Sequence, residues 1–179
     1  VQDKRVNFIK IDSTKMGLNE EFDYVFSLGV IHHIPEAGLA VKNIYSSLKP
    51  NGQFIMCVYG YENNELYIFF FNNLRKILSK LPDFIVEAIS YILTFVTYPY
   101  GFLCKYFKLP LRQYFLNVFS LFSLKHRMYV VFDQLNPKYS KYYKKNEVVD
   151  LLNEAGFEVD EIFHRDNYSW TAIGTKKSL

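Results

Sequence analysis

A short apolar run followed by two histidines constrains the fold of this chain more than any other feature. The run is Phe22–Gly29, His32 and His33 follow it, and Pro35 stands where a helix can begin. A nearly continuous apolar run of this length indicates a strand that is buried on both faces of a sheet. In open α/β sheets, ligands bind in the crevice at the carboxyl ends of the strands. The stretch therefore predicts an α/β fold with a ligand site directly after Gly29.

Strand and helix patterns alternate on either side of this run. Residues 6–12 alternate loosely between apolar and polar and predict a strand that ends in Asp12. Residues 37–48 predict a helix, and residues 53–59 predict the next strand. Asn51-Gly52, between these two, is a strong turn signal. The order of the elements is typical of an α/β domain.

The same alternation returns near the end of the chain. Asn146 can cap a helix through residues 147–155, and Gly156 stands where helices commonly end. Residues 157–164 and 168–175 then predict two strands of a hairpin.

Between residues 61 and 125 the alternation is absent, and three apolar segments follow one another. They are Leu66–Leu78, Phe84–Phe107 and Leu111–Leu124, with lysines and arginines at their edges. Such helices suit a lid over an apolar acceptor or attachment to an anionic membrane surface, and helices that bury one another have the same pattern. Residues 84–104 reach the length of a membrane span, although polar residues dilute their hydropathy. We predict a helical insertion over 61–125, a lid or membrane-facing cap, and leave open whether it spans, touches or avoids a membrane.

The composition excludes several classes of protein. The 179 residues, half of them hydrophobic, suffice for one domain with a sizeable core. A formal net charge of only +3 gives no global electrostatic case for a nucleic-acid partner. Cys57 and Cys104 are too few for a disulfide scaffold and fit a reduced setting. We expect a cytoplasmic protein, with peripheral membrane contact through residues 66–125 if the insertion meets lipid.

Three motifs together carry a resemblance to a known family. They are FDYVFSLGVIHHI at residues 22–34, LKPNGQFI at 48–55 and NEAGFEV at 153–159. Each is weak alone, but their order and spacing resemble class I S-adenosylmethionine-dependent methyltransferases over roughly residues 5–60 and 127–176. The resemblance implies an α/β, Rossmann-like fold with a mostly parallel sheet and an antiparallel last strand. It also implies S-adenosylmethionine as the cofactor.

The chain departs from this family in one respect. The family's glycine-rich turn after its first strand, and the acid after its second, have no counterpart among the eight glycines and the acids of this chain. The resemblance therefore implies the C-terminal part of the α/β domain, residues 1–60 and 126–179, with a sheet that is incomplete at its N-terminal side. We expect such a fragment to be inactive alone.

The resemblance assigns four residues to the cofactor. Asp12 is similar to the family acid that accepts a hydrogen bond from the adenine amino group, and Ser13 lies beside it. Leu28 and Gly29 fall where the family strand passes under the methionine part of the cofactor, and a glycine allows close backbone approach. Asp and Ser are equally at home in turns and helix caps, and Gly29 could simply end its strand.

His32 and His33 are the candidate catalytic residues. A histidine pair after a strand can bind a metal, exchange protons or serve packing. No third and fourth ligand stands at a plausible spacing, so we predict no metal. By resemblance, one histidine faces the cofactor or acceptor and the other packs towards the following helix. We predict that His33 lines the reaction pocket, and the alternative is that it caps the helix after Pro35.

Tyr59 and Arg127 are the candidate substrate-binding residues. Tyr59 ends a strand at the same sheet edge, where aromatic residues also serve as plain packing. Arg127 begins the segment that returns to the sheet, which in similar proteins closes over the pocket. Its guanidinium could contact an anionic group of the acceptor or pair with a nearby acid.

Methyl transfer from a sulfonium needs mainly proximity and alignment, because the leaving group is already activated. We therefore predict methyl transfer from S-adenosylmethionine to a small-molecule acceptor. The aromatic insertion favours a lipid-like or lipid-linked acceptor. Two alternatives stay open: another Rossmann-like enzyme such as a dehydrogenase, and a non-enzymatic membrane-associated domain. The sequence does not indicate an oligomeric state.

Overall fold

A four-stranded mixed sheet forms the centre of the structure, a computed structural model that describes residues 6–178. The strands are β1 (Phe22–Leu28), β2 (Leu48–Tyr59), β3 (Glu158–Arg165) and β4 (Ser169–Thr175). They lie in the order β1-β2-β4-β3. β1 is parallel to β2, whereas β4 is antiparallel to both β2 and β3. Three strands thus point the same way and β4 opposes them, which confirms the predicted mostly parallel sheet with an antiparallel last strand.

Six α-helices accompany the sheet in the described part of the chain. They are α1 (Ala37–Ser47), α2 (Glu65–Leu78), α3 (Asp83–Tyr106), α4 (Arg112–Asn117), α5 (Leu124–Leu135) and α6 (Lys145–Ala155). Helices α1 and α6 pack side by side on one face of the sheet, where the core includes Val41, Phe54, Met56 and Leu152. These side chains are fully buried, as the apolar spacing of the predicted elements requires.

Within residues 6–178, β1 has no strand neighbour along its outer edge, and its side chains are exposed on one face. Its only strand neighbour within residues 6–178 is β2, so one row of backbone groups has no ladder partner there. Tyr24, Phe26 and Leu28 alternate onto the face opposite α1 and are 60%, 65% and 64% exposed. Strands of parallel sheets are normally covered on both faces. β1 therefore lacks the cover that a strand of a complete α/β sheet has.

The predicted strand at residues 6–12 is wrong. These residues have no regular secondary structure and are all exposed, with Phe8 at 90%. A strand persists only where a neighbouring strand satisfies its backbone groups, and this segment pairs with none of the described strands. Asp12 instead caps a single 3-10 turn, Ser13–Lys15.

The predicted Asn51-Gly52 turn forms inside β2 as an irregularity. Asn51 has a φ of 63°, and the register against β1 shifts between Phe22 and Tyr24. β2 therefore begins at Leu48 rather than at residue 53, and the turn is a bulge in a longer strand.

The C-terminal helix and hairpin form as predicted, apart from the helix cap. Gly156 ends α6 with a φ of 103°, and β3 and β4 form the hairpin. The helix begins at Lys145, so Asn146 lies inside it and is not the cap. Instead, the Lys144 N–H donates to the Glu147 carboxylate over 2.8 Å.

Helices α2 to α5 form a second layer with a core of its own. They cover the apolar segments predicted to be helical and continue to Leu135. The buried face of α3 carries small polar residues: Ser90 and Thr94 are fully buried and donate hydrogen bonds to the carbonyls of Val86 and Ser90. Small residues on this face let α3 approach its neighbours closely.

The large apolar side chains of α3 point outwards instead. Phe84, Tyr91, Phe95, Phe102 and Tyr106 are all exposed and recur at helical spacing, which places them on one side of the helix. We call this the α3 outer face. Among residues 6–178, no helix combines the length and the hydropathy that a membrane span requires.

Candidate functional site

The carboxyl ends of β1 and β2 meet at one edge of the sheet because the two strands are parallel. His32 and His33 lie in the 3-10 turn Ile31–His33 after β1, and Tyr59 ends β2. The His32 and Tyr59 rings stack with 3.7 Å between their centroids, and the His33 ring meets Tyr59 edge-on at 5.9 Å. The structure thus brings together three residues that were predicted from sequence.

His32 is fully buried and neutral. The Tyr59 N–H donates to its Nδ1 over 3.4 Å, and its own carbonyl accepts the Lys141 N–H over 2.9 Å. Burial lowers the pKa of His32 to about 3, and the charges of His33 and Arg75 act in the same direction. A ring with this pKa is a poor proton acceptor near neutral pH. Through these contacts His32 connects the end of β1 to β2 and to the segment that follows α5.

His33 is oriented differently and keeps a lone pair free. Its Nδ1 lies 3.0 Å from the Tyr139 carbonyl, so Nδ1 carries the proton and Nε2 the lone pair. This bond goes to the segment after α5 rather than to the start of α1. Nε2 has no hydrogen-bond partner in the described chain and lies 4.0 Å from the Asp133 carboxylate. A proton accepted at Nε2 would be stabilised by that carboxylate.

Tyr59 fixes the Asp133 carboxylate beside His33. Its hydroxyl donates to Asp133 Oδ2 over 2.8 Å and accepts from Gln134 Nε2 over 2.6 Å. Burial, together with the Asp133 charge, raises the pKa of Tyr59 well above its ordinary value. The phenol therefore stays protonated and acts as a hydrogen-bond donor.

Gln134 connects this site to the helical layer. Its Oε1 accepts from Tyr67 over 2.6 Å and from Tyr142 over 3.3 Å. Its Nε2 also donates to the Tyr168 hydroxyl over 3.3 Å, and its main-chain carbonyl accepts from Arg75 Nε over 3.0 Å. A buried amide with this many partners holds a single orientation, since an unpaired polar group in the interior is costly.

Asp12 and Ser13, assigned to the cofactor by resemblance, lie in the 3-10 turn before β1. Asp12 Oδ1 accepts from the Thr14 hydroxyl over 2.8 Å and from its N–H over 2.9 Å, and these bonds lower the pKa of Asp12. Asn43 donates to the Ser13 carbonyl over 2.8 Å and ties the turn to α1. Asp12 is thus an exposed carboxylate at a position fixed by α1.

Leu28 and Gly29 lie at the open end of β1. Gly29 donates its N–H to the Cys57 carbonyl over 3.1 Å, and its φ of 76° is one that residues with side chains rarely adopt. A Cβ added there would meet no described atom within 4 Å. Open space therefore adjoins the strand end, next to the exposed side chain of Leu28.

Arg127 lies inside the helical layer. Its Nε donates to the Phe122 carbonyl over 3.0 Å and its Nη2 to the Ser120 carbonyl over 2.8 Å. Its guanidinium also lies 4.4 Å from the centre of the Tyr98 ring. These contacts hold the loop before α5, and the acid pairing considered from sequence does not occur within residues 6–178.

Sequence reasoning missed Asp133, Gln134 and Tyr139 as members of the site. Asp133 and Gln134 are two polar residues within an otherwise apolar stretch of α5, and that contrast was the available signal. Tyr139 contributes only its carbonyl, for which side-chain patterns carry no information. Within residues 6–178, no group of three or more His, Cys, Asp or Glu side chains is arranged to hold a metal ion.

The sequence match to known proteins lies in the part of the chain that carries the histidines. Residues 1–56 match a family described as a methyltransferase domain. Phosphoethanolamine N-methyltransferase 2 of Caenorhabditis elegans is 37% identical over 60 residues, which is 33% of this chain and 14% of that protein. The chain thus spans only a small part of the length of this relative.

Solved structures resemble the whole described fold. A Burkholderia thailandensis 1,6-didemethyltoxoflavin-N1-methyltransferase, with 1,6-didemethyltoxoflavin and S-adenosylhomocysteine bound, gives a TM-score of 0.52 at 13% identity, over 98% of this chain and 52% of that one. Human N-acetylserotonin methyltransferase in complex with S-adenosylmethionine gives 0.51 at 13% identity, over 99% of this chain and 36% of that one. At these identities the likeness is one of fold.

The sheet topology is that of a Rossmann-like fold, and residues 1–56 are similar in sequence to a methyltransferase domain. The match over residues 1–56 and the likeness of fold agree with the resemblance to class I S-adenosylmethionine-dependent methyltransferases that the three sequence motifs carry.

Acidification is expected to destabilise the protein through His32. The folded state keeps His32 neutral down to a pKa of about 3, whereas the unfolded chain protonates it near 6.5, so unfolding takes up a proton between these values. This contribution is complete above pH 6.5 and is lost as the pH falls towards 3, by at most about 1.4 kcal/mol per pH unit. Urea unfolding at a series of pH values measures the slope.

The matched variants are His32→Gln, which cannot titrate, and His126→Gln at an exposed position. The first should flatten the dependence of the unfolding free energy on pH, and the second should leave it unchanged. Equal slopes in the His32→Gln variant and the unaltered protein would contradict the burial argument.

Proposed function

We propose that the protein transfers a methyl group from S-adenosylmethionine to a small-molecule acceptor. One observation carries the proposal: the segment that matches the methyltransferase family, residues 1–56, contains β1 and the histidine turn at the ligand-binding edge of the sheet. That turn holds His33 with a free lone pair beside a carboxylate. The alternative of a dehydrogenase gains no support from the match.

The residues at the end of β1 fit the cofactor. The open space beside Gly29 permits close approach to the backbone, and the exposed side chain of Leu28 would be covered by a ligand there. The second oxygen of Asp12 has no described partner and can accept from an adenine amino group. When bound, S-adenosylmethionine supplies a methyl group carried on a sulfonium. The neutral sulfide that leaves as the methyl group is transferred needs no protonation.

The residues of the chain then handle the proton that the acceptor loses. His33 Nε2 accepts this proton as the acceptor oxygen or nitrogen forms its bond to the methyl carbon. The Tyr139 carbonyl holds the ring in the required tautomer, and Asp133 stabilises the imidazolium. Nε2 is enclosed in this structure, so the acceptor reaches it once the Asp133 side chain, which is 53% exposed, moves away from the Tyr59 hydroxyl.

We further propose that this chain is one part of the active protein. The unpaired outer edge of β1 and the exposed Tyr24, Phe26 and Leu28 beside it are surfaces that further strands and helices cover in a complete α/β sheet. The chain also spans only 52% of the length of the 1,6-didemethyltoxoflavin-N1-methyltransferase described above. A covering segment would add the other wall of the cofactor site.

The chain of residues 1–179 is therefore expected to bind S-adenosylmethionine weakly. Isothermal titration calorimetry should give a dissociation constant at least about a hundredfold weaker than that of the full-length protein, since half of the contacts would be missing. Affinity equal to that of the full-length protein would show that β1 needs no further cover.

His33 is expected to matter for turnover in the full-length protein. His33→Ala should lower kcat by roughly 10²–10⁴-fold, the usual contribution of a general base, with little change in cofactor affinity. His126→Ala, which removes an exposed histidine from α5, is the matched control and should retain full activity. Unchanged turnover and cofactor affinity in His33→Ala would refute the assignment.

We also propose that the acceptor is lipid-like or lipid-linked and that the α3 outer face contacts a membrane. An exposed aromatic row of this kind is unusual on a soluble protein and typical of surfaces that dock to a partner or a bilayer. Lys80 precedes α3, and Lys105 and Lys108 lie at its end, where they can attract anionic lipid. Peripheral contact requires no spanning helix.

Vesicle binding tests this contact. The double substitution Phe95→Glu with Phe102→Glu should abolish co-sedimentation with phosphatidylglycerol vesicles, because it places charge in the acyl boundary. Phe163→Glu, at an exposed aromatic residue on β3, is the matched control and should bind like the unaltered protein. Equal binding of both variants would rule out the α3 outer face as the contact. Vesicle binding by a full-length protein without methyltransferase activity would favour the non-enzymatic alternative.

A further inference from the structure

A large apolar cavity lies between the helices of the second layer. Its volume is about 470 Å³, well within the roughly 300–1,000 Å³ of ordinary small-ligand pockets. Its walls come from α2, α3, α4 and α5 and include Phe71, Leu93, Phe115 and Val131. No charged side chain lines it. Apolar cavities of even about 150 Å³ stay dry and take up apolar ligands.

One end of the cavity adjoins the candidate active site and is lined by side chains that carry hydroxyl and amide groups. Tyr67, Gln134 and Tyr168 line this end. The same Gln134 side chain donates to the Tyr59 hydroxyl, which in turn donates to Asp133. A ligand in the cavity and an acceptor group at His33 would therefore share one wall, made of Gln134 and its tyrosine partners.

The lining residues that reach the surface are apolar as well. Leu66 and Phe70 on α2 and Val96 on α3 line the cavity while being 66%, 67% and 57% exposed. Val96 follows Ile92 by one helical turn, and Ile92 borders the α3 outer face. The mouth of the cavity thus opens between α2 and α3, next to the surface proposed to contact lipid.

We propose that this cavity binds a single long hydrocarbon chain, the tail of the methyl acceptor. The chain enters between α2 and α3 and fills the apolar space as far as Gln134 and the tyrosines. The uncharged walls exclude a charged or strongly polar occupant, because desolvating one there would go uncompensated. That the chain belongs to the acceptor rests on the proposed methyl transfer. The binding of the chain itself does not.

Titration with methyl cis-parinarate, an uncharged ester of a fluorescent long-chain fatty acid, tests the site in the purified protein without any cofactor. Saturable fluorescence enhancement with one probe per chain is expected. Val130→Trp, which fills the cavity from α5, should weaken probe binding by roughly tenfold or more. Ile92→Trp introduces the same side chain at an exposed position outside the cavity and should leave binding unchanged.

Leu93→Trp fills the same space from α3 and keeps the test decisive if Val130→Trp does not fold, as circular dichroism would reveal. Non-saturable binding, or equal probe affinity in a folded cavity-filling variant and in Ile92→Trp, would overturn the proposal. Saturable, cavity-dependent binding by a protein without methyltransferase activity would uphold the chain site and reject the proposed reaction. The two failures are thus distinguishable.

Discussion

The burial of His32 holds the functional edge of this molecule together. Its ring accepts the Tyr59 N–H and stacks on the Tyr59 ring, while its carbonyl accepts the Lys141 N–H. One residue thus ties the end of β1 to the end of β2 and to the segment that returns from the helical layer. With its pKa lowered by burial, His32 stays neutral and keeps this geometry at physiological pH. Because His33 follows His32 directly in the chain, the contacts of His32 also fix the backbone position of His33.

The candidate site depends on a second connection, which runs through α5. Asp133 and Gln134 are neighbours on this helix and share one partner, the Tyr59 hydroxyl, which donates to Asp133 and accepts from Gln134. Asp133 faces His33 and Tyr59, and Gln134 faces the tyrosines and the buried Arg75. Because both residues are fixed by one helix, movement of the helical layer would change the electrostatic setting of His33. The layer that would bind the acceptor thereby also positions the group that would take its proton.

The elements that could be predicted from the sequence are those that depend on residues close together in the chain. β1, α1, α6 and the hairpin follow from periodicity and from glycine positions such as Gly156, and they were predicted. The strand at residues 6–12 was predicted wrongly because strand formation depends on a neighbour, and the segment has none among the described strands. Asp133 and Tyr139 meet His33 across about a hundred residues of chain, and no spacing rule reports such a contact.

The exposed apolar side chains of β1 and those of the α3 outer face differ in the state of the backbone beside them. This difference determines what kind of partner suits each surface. Along β1 the exposed side chains Tyr24 and Phe26 accompany a row of N–H and C=O groups that no strand within residues 6–178 pairs with, and hydrocarbon cannot satisfy such groups. Another polypeptide strand can satisfy these groups by pairing with that edge. On α3 the backbone groups are already paired within the helix, so Phe95 and Phe102 can face lipid without leaving a polar group unsatisfied. The proposed covering segment therefore suits the sheet edge, and the proposed lipid contact suits the α3 outer face.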